Sequence, residues 1–343
     1  MTQPQVSTAE PADVQVLQMA LAPFTTQALY VAAKLDIADL LADGPRTAAE
    51  LAGATGTDER SLYRILRALA SAGVFSETES RIFVNTPASE TLRSDGPNST
   101  RYFVMFCGEE PHWRNIGHTM YSVKTGKPCW EHVHGEPVFS YMFDTNKELG
   151  EIFNRAMVSF SHQDIGPVMN AYDFSNVGTL ADIAGGYGHL LAAILKAYPA
   201  MKGVLFEVPQ LLDGARGFVA SSGVADRLEF VSGDFCKEIP VRADVYMLKH
   251  IIHDWYDDTS TIILQNIRQH MPDNGRVLII DSVIPPGNEP HMKKILDIEM
   301  LIAPGGVERT AEEFETLLNN SGFRLNRIIP TASPNSIIEA VKA

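Results

Sequence analysis

The chain is short of cysteine, short of positive charge and short of long apolar runs, and each shortage excludes a class of protein. Only Cys107, Cys129 and Cys236 occur in 343 residues. They are too widely spaced for a metal or redox motif, and they read as reduced thiols of a cytoplasmic protein. Lys and Arg total 28 against 42 Asp and Glu, a formal net charge of -14. That balance disfavours nucleic acid or an anionic membrane as partner. No apolar stretch approaches the roughly 20 residues of a membrane span. Met1–Asp13 is polar and lacks the basic start and apolar run of a secretory signal. No metal-ligand spacing occurs among the histidines and acids, so no metal is expected. What the chain does have is 45% hydrophobic residues, enough for two domains with substantial cores.

The N-terminal third reads as helical. After a disordered start over residues 1–13, Val14–Ala42 is an Ala- and Leu-rich helical region expected to break at Pro23. Thr47 and Glu50 have capping-box spacing ahead of a short helix. Thr57–Ala72 follows as a helix with Leu62, Ile65, Leu66 and Leu69 on one face. Gly73 ends it, and Val74-Phe75 and Arg81–Val84 form a small hairpin. Two short helices and a hairpin make a winged helix, here spanning 14–96. Its charge decides against DNA: residues 1–100 carry twelve carboxylates and seven basic groups, although Arg60, Arg64 and Arg67 share a helix face. Phosphate neutralisation supplies most DNA affinity, and this module as a whole repels phosphate. Pairing with a second copy of the chain is the better reading.

Residues 97–172 read as a helical region dense in aromatics and methionine, most of them ordinary core. From 173 onward strands and helices alternate. Thr179–Ala184, Gly203–Val208, Leu228–Ser232, Ala243–Leu248 and Arg276–Asp281 are β-rich, and His189–Tyr198, Gln210–Ser221 and Ser260–His270 are helical. The pattern predicts a doubly wound, Rossmann-like α/β sheet, with Phe323–Ile329 and Ser336–Val341 closing it as an antiparallel hairpin.

Ligands of such sheets sit beyond the carboxyl ends of the strands. Asp182-Ile183-Ala184-Gly185-Gly186-Tyr187-Gly188-His189 is a strand turning through glycines into a helix, where the backbone can approach a cofactor closely. Glu207 at the next strand end suits ribose hydroxyls, and Asp234-Phe235 after the third suits an adenine. Together these indicate a nucleotide-like cofactor. A dinucleotide fits poorly, because the third glycine of that motif is Leu191 here. About sixty residues on, Leu248-Lys249-His250-Ile251-Ile252-His253-Asp254-Trp255 puts histidines just past a later strand on the same edge. A cradle and a base on one edge suggest group transfer from the cofactor to a small molecule.

With these motifs in order, the chain resembles the S-adenosylmethionine-dependent small-molecule O-methyltransferases of the caffeate, hydroxyindole and bacterial polyketide-tailoring type. The resemblance covers nearly the whole length and includes Phe206–Pro209, Gly233–Phe235, Leu248–Trp255 and Gly305–Thr310. It implies a class I methyltransferase domain behind a winged-helix dimerisation domain, hence a homodimer, with S-adenosylhomocysteine as product. By resemblance, Asp182, Ala184, Gly185, Gly186 and Gly188 lie against the methionine portion and Glu207 binds the ribose. Gly233, Asp234 and Phe235 frame the adenine, and Lys249 contributes. His253 is the general base, with Asp281 and Glu308 flanking and orienting it, and Trp113, Met157, Phe160 and Met300 match acceptor-lining positions. Three positions depart from the usual pattern: Ala184 replaces the first loop glycine, Glu207 an aspartate and Phe235 a methionine.

The implied chemistry is removal of a hydroxyl proton as its oxygen attacks the sulfonium methyl of the cofactor. A histidine with its ordinary pKa of about 6.5 is mostly neutral at pH 7 and suits the task. A carboxylate on its other nitrogen fixes the tautomer. The acceptor is a small, aromatic molecule, phenolic or otherwise; indoles, quinols and carotenoid-like alcohols are alternatives, as is N- or S-methylation. Two rivals stand beside this reading. One is a cofactor-binding enzyme of the same scaffold that does not methylate; the other is a winged-helix regulator.

Overall fold

The structure, a computed structural model, describes residues 11–96 and 99–343. The first ten residues of the segment read as disordered, and Pro97 at the expected domain boundary, lie outside the described residues. The chain divides into two compact units. One holds the residues up to Trp113 together with Glu148–Ser159; the other holds Arg114–Lys147 and Phe160–Ala343.

In the first unit, α1 (Ala12–Lys34) continues through Pro23 without interruption, which corrects the expected break. Proline costs one hydrogen bond and crowds the preceding turn. Here strong helix formers precede it, and burial of Ala28, Ala32 and Ala33 anchors the turns that follow. Its length corrects a second expectation. Charge falls only at Asp13 and Lys34, and by length and composition alone these 23 residues could cross a membrane. Val16, Leu17, Met19, Leu21 and Phe24 are exposed along it.

After α2 (Ile37–Leu40) and a short strand β1 (Arg46–Thr47), the expected capping box opens α3 (Ala48–Thr55). The Glu50 amide donates to Thr47 Oγ1 and the Thr47 amide to Glu50 Oε2. Asp58 caps α4 (Glu59–Ser71), which buries Leu62, Leu66 and Leu69. Gly73, at φ +78°, turns the chain into β2 (Phe75–Glu79), which pairs with β3 (Ile82–Asn85) as the expected hairpin. Strand β1 adds to the far side of β3. Helices α5 (Pro87–Glu90) and α6 (Arg101–Gly108) complete this part, with Arg101 ion-paired to Asp36 and Asp39.

Helices α7 (Glu110–Ile116), α8 (Thr119–Thr125), α9 (Cys129–His134), α10 (Val138–Ser140) and α11 (Lys147–Ala171) fill the middle of the chain. The alternation follows: β4 (Thr179–Ile183), α12 (His189–Ala197), β5 (Lys202–Glu207), α13 (Pro209–Ser222), β6 (Leu228–Ser232), β7 (Val245–Lys249), α14 (Asp257–His270) and β8 (Arg276–Asp281). Helices α15 (Met292–Ile302) and α16 (Ala311–Asn320) lead to the hairpin β9 (Phe323–Pro330) and β10 (Ser336–Lys342). The seven strands lie in the order β6-β5-β4-β7-β8-β10-β9, parallel except for β10, which is antiparallel to both neighbours.

Burial on both faces explains why the central strands are nearly all apolar. Side chains alternate across the sheet: Ala181, Ile183, Tyr246, Leu248, Val277 and Ile279 join one core. Leu180, Val245, Met247, Leu278 and Ile280 join the other. The apolar runs give way to charge at the carboxyl edge, at Asp182, Glu207, Lys249 and Asp281. Strand order reverses at β4, flanked by β5 and β7, so the crevice for a ligand opens there.

Candidate active site

The loop after β4 is held open by backbone conformation and by a buried acid beneath it. Gly186 and Gly188 take φ of +61° and +79°, and Ala184 takes +55°, a left-handed conformation that disfavours any Cβ. A Cβ at Gly185 would lie 2.3 Å from Asp182 Oδ2, so the loop backbone rests on that carboxyl. Asp182 is 2% exposed, and its Oδ1 has no hydrogen-bond partner. Burial, partly opposed by Lys249, pushes its pKa up to about 7.

Glu207 ends β5 with both oxygens engaged, Oε2 accepting from the Gly186 amide at 2.8 Å and Oε1 from the Val208 amide at 2.7 Å. Each oxygen keeps a further lone pair for a hydroxyl. A Cβ at Gly233 would meet the Phe206 ring at 2.6 Å. Asp234 lies just past the end of β6, where its Oδ1 accepts from the Cys236 amide. Phe235 meets Trp255 edge-on at 5.8 Å and is tied down by Asn266 Nδ2 on its carbonyl. Lys249 ends β7 among Asp164, Asp182 and Asp281, and burial outweighs their pull to lower its pKa.

His253 sits in a short 3-10 turn, Ile252–Asp254, and is 7% exposed. Its Nδ1 lies 3.1 Å from Glu308 Oε1. Glu308 owes its position to the segment around it. Gly305 and Gly306 both donate from their amides to the Met300 carbonyl, and the Val307 amide donates to the His253 carbonyl at 2.8 Å. A Cβ at Gly306 would stand 1.9 Å from that carbonyl oxygen, so the turn admits only glycine. Arg309, 1% exposed, donates to the carbonyls of Ile252 and Trp255 on either side of the histidine and pairs with Asp257. Thr310 then caps α16 in a capping box with Glu313.

The other partners of His253 divide unequally. Asp281 is fully buried, with neither oxygen hydrogen-bonded, so it acts on the imidazole through charge. Asp254 Oδ1 is 3.6 Å from Nε2, the opposite nitrogen. Burial alone would push the His253 pKa down, but Asp281, Asp254 and Glu308 together raise it to about 9. An isolated histidine is mostly neutral at pH 7; the three carboxylates around His253 shift it toward holding its proton. Burial raises Asp254 and Asp281 to about 6 each.

Several groups near the site have no role assigned from the sequence. His250, at φ +56°, has Nε2 within 3.2 Å of Asp164 Oδ2. Asn335 Nδ2 donates to both oxygens of the same aspartate. Burial, reinforced by Lys249, lowers the His250 pKa to about 3. Lys293 on α15 reaches Glu308 Oε1 at 3.3 Å. His250, His253 and Asp281 place donor atoms within 4.8 Å of one another, spaced for an ion. The positive charges of Lys249 and Lys293 already act on His250 there. Of the four expected acceptor-lining side chains, Phe160 and Met300 belong to the unit that carries His253, whereas Trp113 and Met157 belong to the other.

This fold, with a glycine loop above a buried acid and a carboxylate-held histidine on the same sheet edge, defines the class of cofactor-dependent methyltransferases. The sequence matches the O-methyltransferase domain over residues 113–324 and the O-methyltransferase dimerisation domain over 17–95. It is 44% identical over 342 residues to the phenazine O-methyltransferase PhzM of Lysobacter antibioticus, covering 99% of both chains. It is 38% identical over 314 residues to the 8-amino-8-demethylriboflavin N,N-dimethyltransferase of Streptomyces davaonensis, covering 91% of this chain and 90% of that one. Among solved structures, CalO1, a methyltransferase in calicheamicin biosynthesis in its S-adenosylhomocysteine-bound form, superposes with a TM-score of 0.85 at 37% identity, covering 97% and 98% of the two chains.

The chain belongs to the O-methyltransferase family and is an S-adenosylmethionine-dependent methyltransferase of the natural-product type. Its dimerisation domain implies a homodimer.

Proposed function

We propose that this enzyme methylates a hydroxyl of a small aromatic acceptor, with His253 as general base oriented by Glu308. The observation that carries the reading is the contact of His253 Nδ1 with Glu308 Oε1 at 3.1 Å. A carboxylate there keeps the proton on Nδ1 and leaves Nε2 to take one from an acceptor. Asp281 supports the imidazolium by charge from its buried position.

The cradle fits the cofactor. What supports this is the glycine loop packed on the buried Asp182, whose Oδ1 lacks a partner, beside Glu207, whose oxygens accept from the Gly186 and Val208 amides with lone pairs to spare. Asp182, Ala184, Gly185, Gly186 and Gly188 hold the methionine portion and Glu207 the ribose; Gly233, Asp234 and Phe235 hold the adenine, with Lys249 beside them. S-adenosylmethionine supplies the electrophilic methyl. The protein supplies alignment, and a base that must first be free of its own proton, so methyl transfer rises with pH through the neutral range. Phe160 and Met300 form apolar walls for the acceptor, and the enzyme works in the cytoplasm.

N-methylation is the second reading, favoured by the 38% identity to an N,N-dimethyltransferase. Product formation with S-adenosylmethionine and a panel of hydroxylated phenazines, phenols and aminoarenes separates the two. Mass spectrometry reads the gain of a methyl group, and NMR of the product reads the atom that carries it. A methyl ether supports the proposal; methyl on nitrogen alone, with every phenol left untouched, overturns it.

A further inference from the structure

Glu308 is shared. Its Oε1 lies 3.1 Å from His253 Nδ1 and 3.3 Å from Lys293 Nζ, so one oxygen serves two cations. Oε2 is buried with no partner. Lys293 stands in the first turn of α15 with its side chain 7% exposed, an expensive place for an ammonium with a single hydrogen-bond partner among the described residues. Its charge also reaches Asp254 and Asp281, the other two acids around the imidazole.

Resting on the reading of His253 as base, we propose that Lys293 is a positioning residue that tempers that base, by competing for Glu308 Oε1 and offsetting the acids around the imidazole. Three carboxylates and one histidine would form a proton trap, because an imidazolium so surrounded gives its proton up only at high pH. One buried ammonium against the same oxygen weakens the trap without breaking the contact that fixes the tautomer. The acids that act on His253 are Asp254 beside it in the same turn, Asp281 at the end of β8 and Glu308 before α16, and Lys293 on α15 reaches it through Glu308. His250 also faces it, with its ring 5.2 Å away. Two further cations lie close by, Lys249 acting on Asp281 and His250 and Arg309 acting on Asp281, but Lys293 is the one in contact with the oxygen that holds His253.

The test compares wild type, Lys293→Met and Lys293→Arg, each as the full-length protein labelled with 15N-histidine. The His253 ring signals are assigned by their loss in His253→Gln. Methionine keeps the length of the stem without charge; arginine restores the charge. We expect the His253 titration midpoint to rise by roughly half a unit or more in Lys293→Met and to return toward wild type in Lys293→Arg. A midpoint unmoved or lowered in a folded Lys293→Met protein overturns the proposal. If Lys293→Met does not fold, Lys293→Gln replaces it and the same comparison decides. The NMR readout needs no acceptor, so it is separate from the parent reading, which fails if His253→Ala keeps wild-type turnover.

Discussion

Replacing Glu308 by glutamine tests the site at its tightest joint. The carboxylate is 3.1 Å from His253 Nδ1 and 3.3 Å from Lys293 Nζ, and Lys293 has no other hydrogen-bond partner among the described residues. The glutamine amide keeps the shape and removes the charge. Two consequences follow in opposite senses. His253 is pushed up to about 9 partly by Glu308, so loss of that charge lowers its proton affinity and moves the acid limb of kcat/KM to lower pH. The plateau rate falls at the same time, because the amide can present a donor to Nδ1 and favour the tautomer with Nε2 protonated. A fall of roughly 10- to 10³-fold is expected, smaller than for loss of the base itself. Lys293 is left buried without its counter-charge, a cost of about 3 kcal/mol in stability. The assay is a pH–rate profile from pH 6 to about 10, with urea unfolding of the same samples. A lower plateau with an unmoved limb would refute the electrostatic coupling and leave only misplacement.

Other outcomes follow from the same geometry. In Gly306→Ala the new methyl falls on the His253 carbonyl, 1.9 Å from its oxygen, so either the turn carrying Glu308 or the turn carrying His253 must shift. Turnover should drop by about 10²-fold or more and stability by about 2 kcal/mol, read by steady-state kinetics and denaturant unfolding; unchanged kinetics would contradict the packing argument. Ala184, at φ +55°, bears a strain of roughly 1 kcal/mol that glycine relieves. Ala184→Gly should therefore keep cofactor affinity by calorimetry and leave stability equal or higher. A marked loss of affinity would give the alanine methyl a contact role.

Much of this was legible in the sequence because local chemistry and tertiary structure agree there. The capping box at Thr47 and the apolar strand runs keep the same form in the fold, since burial on both faces of the sheet writes itself as unbroken hydrophobicity. The end of β8 at Asp281 was legible to the residue, and those of β5 at Glu207 and β7 at Lys249 to within one residue, because a charged side chain closes each of these three apolar runs. What was not legible depends on contacts between distant segments. Pro23 reads as a helix breaker, yet the turns after it are anchored by alanines buried in the first unit. Lys293 carries no motif, and it joins the site only because α15 returns it to Glu308, fifteen residues further along. Asp164 and Asn335 flank His250 from α11 and from the turn between β9 and β10, a meeting that no spacing announces. The proton affinity of His253 is of the same kind. Its ordinary value is a property of the residue, whereas the rise to about 9 belongs to three acids from three segments.

The most direct measurement is turnover of His253→Ala beside wild type, with S-adenosylmethionine binding measured on both by calorimetry. The account predicts a fall in kcat of roughly 10²–10⁴-fold with cofactor affinity little changed. Wild-type turnover in a variant that still binds the cofactor would remove His253 as the base and, with it, the central claim.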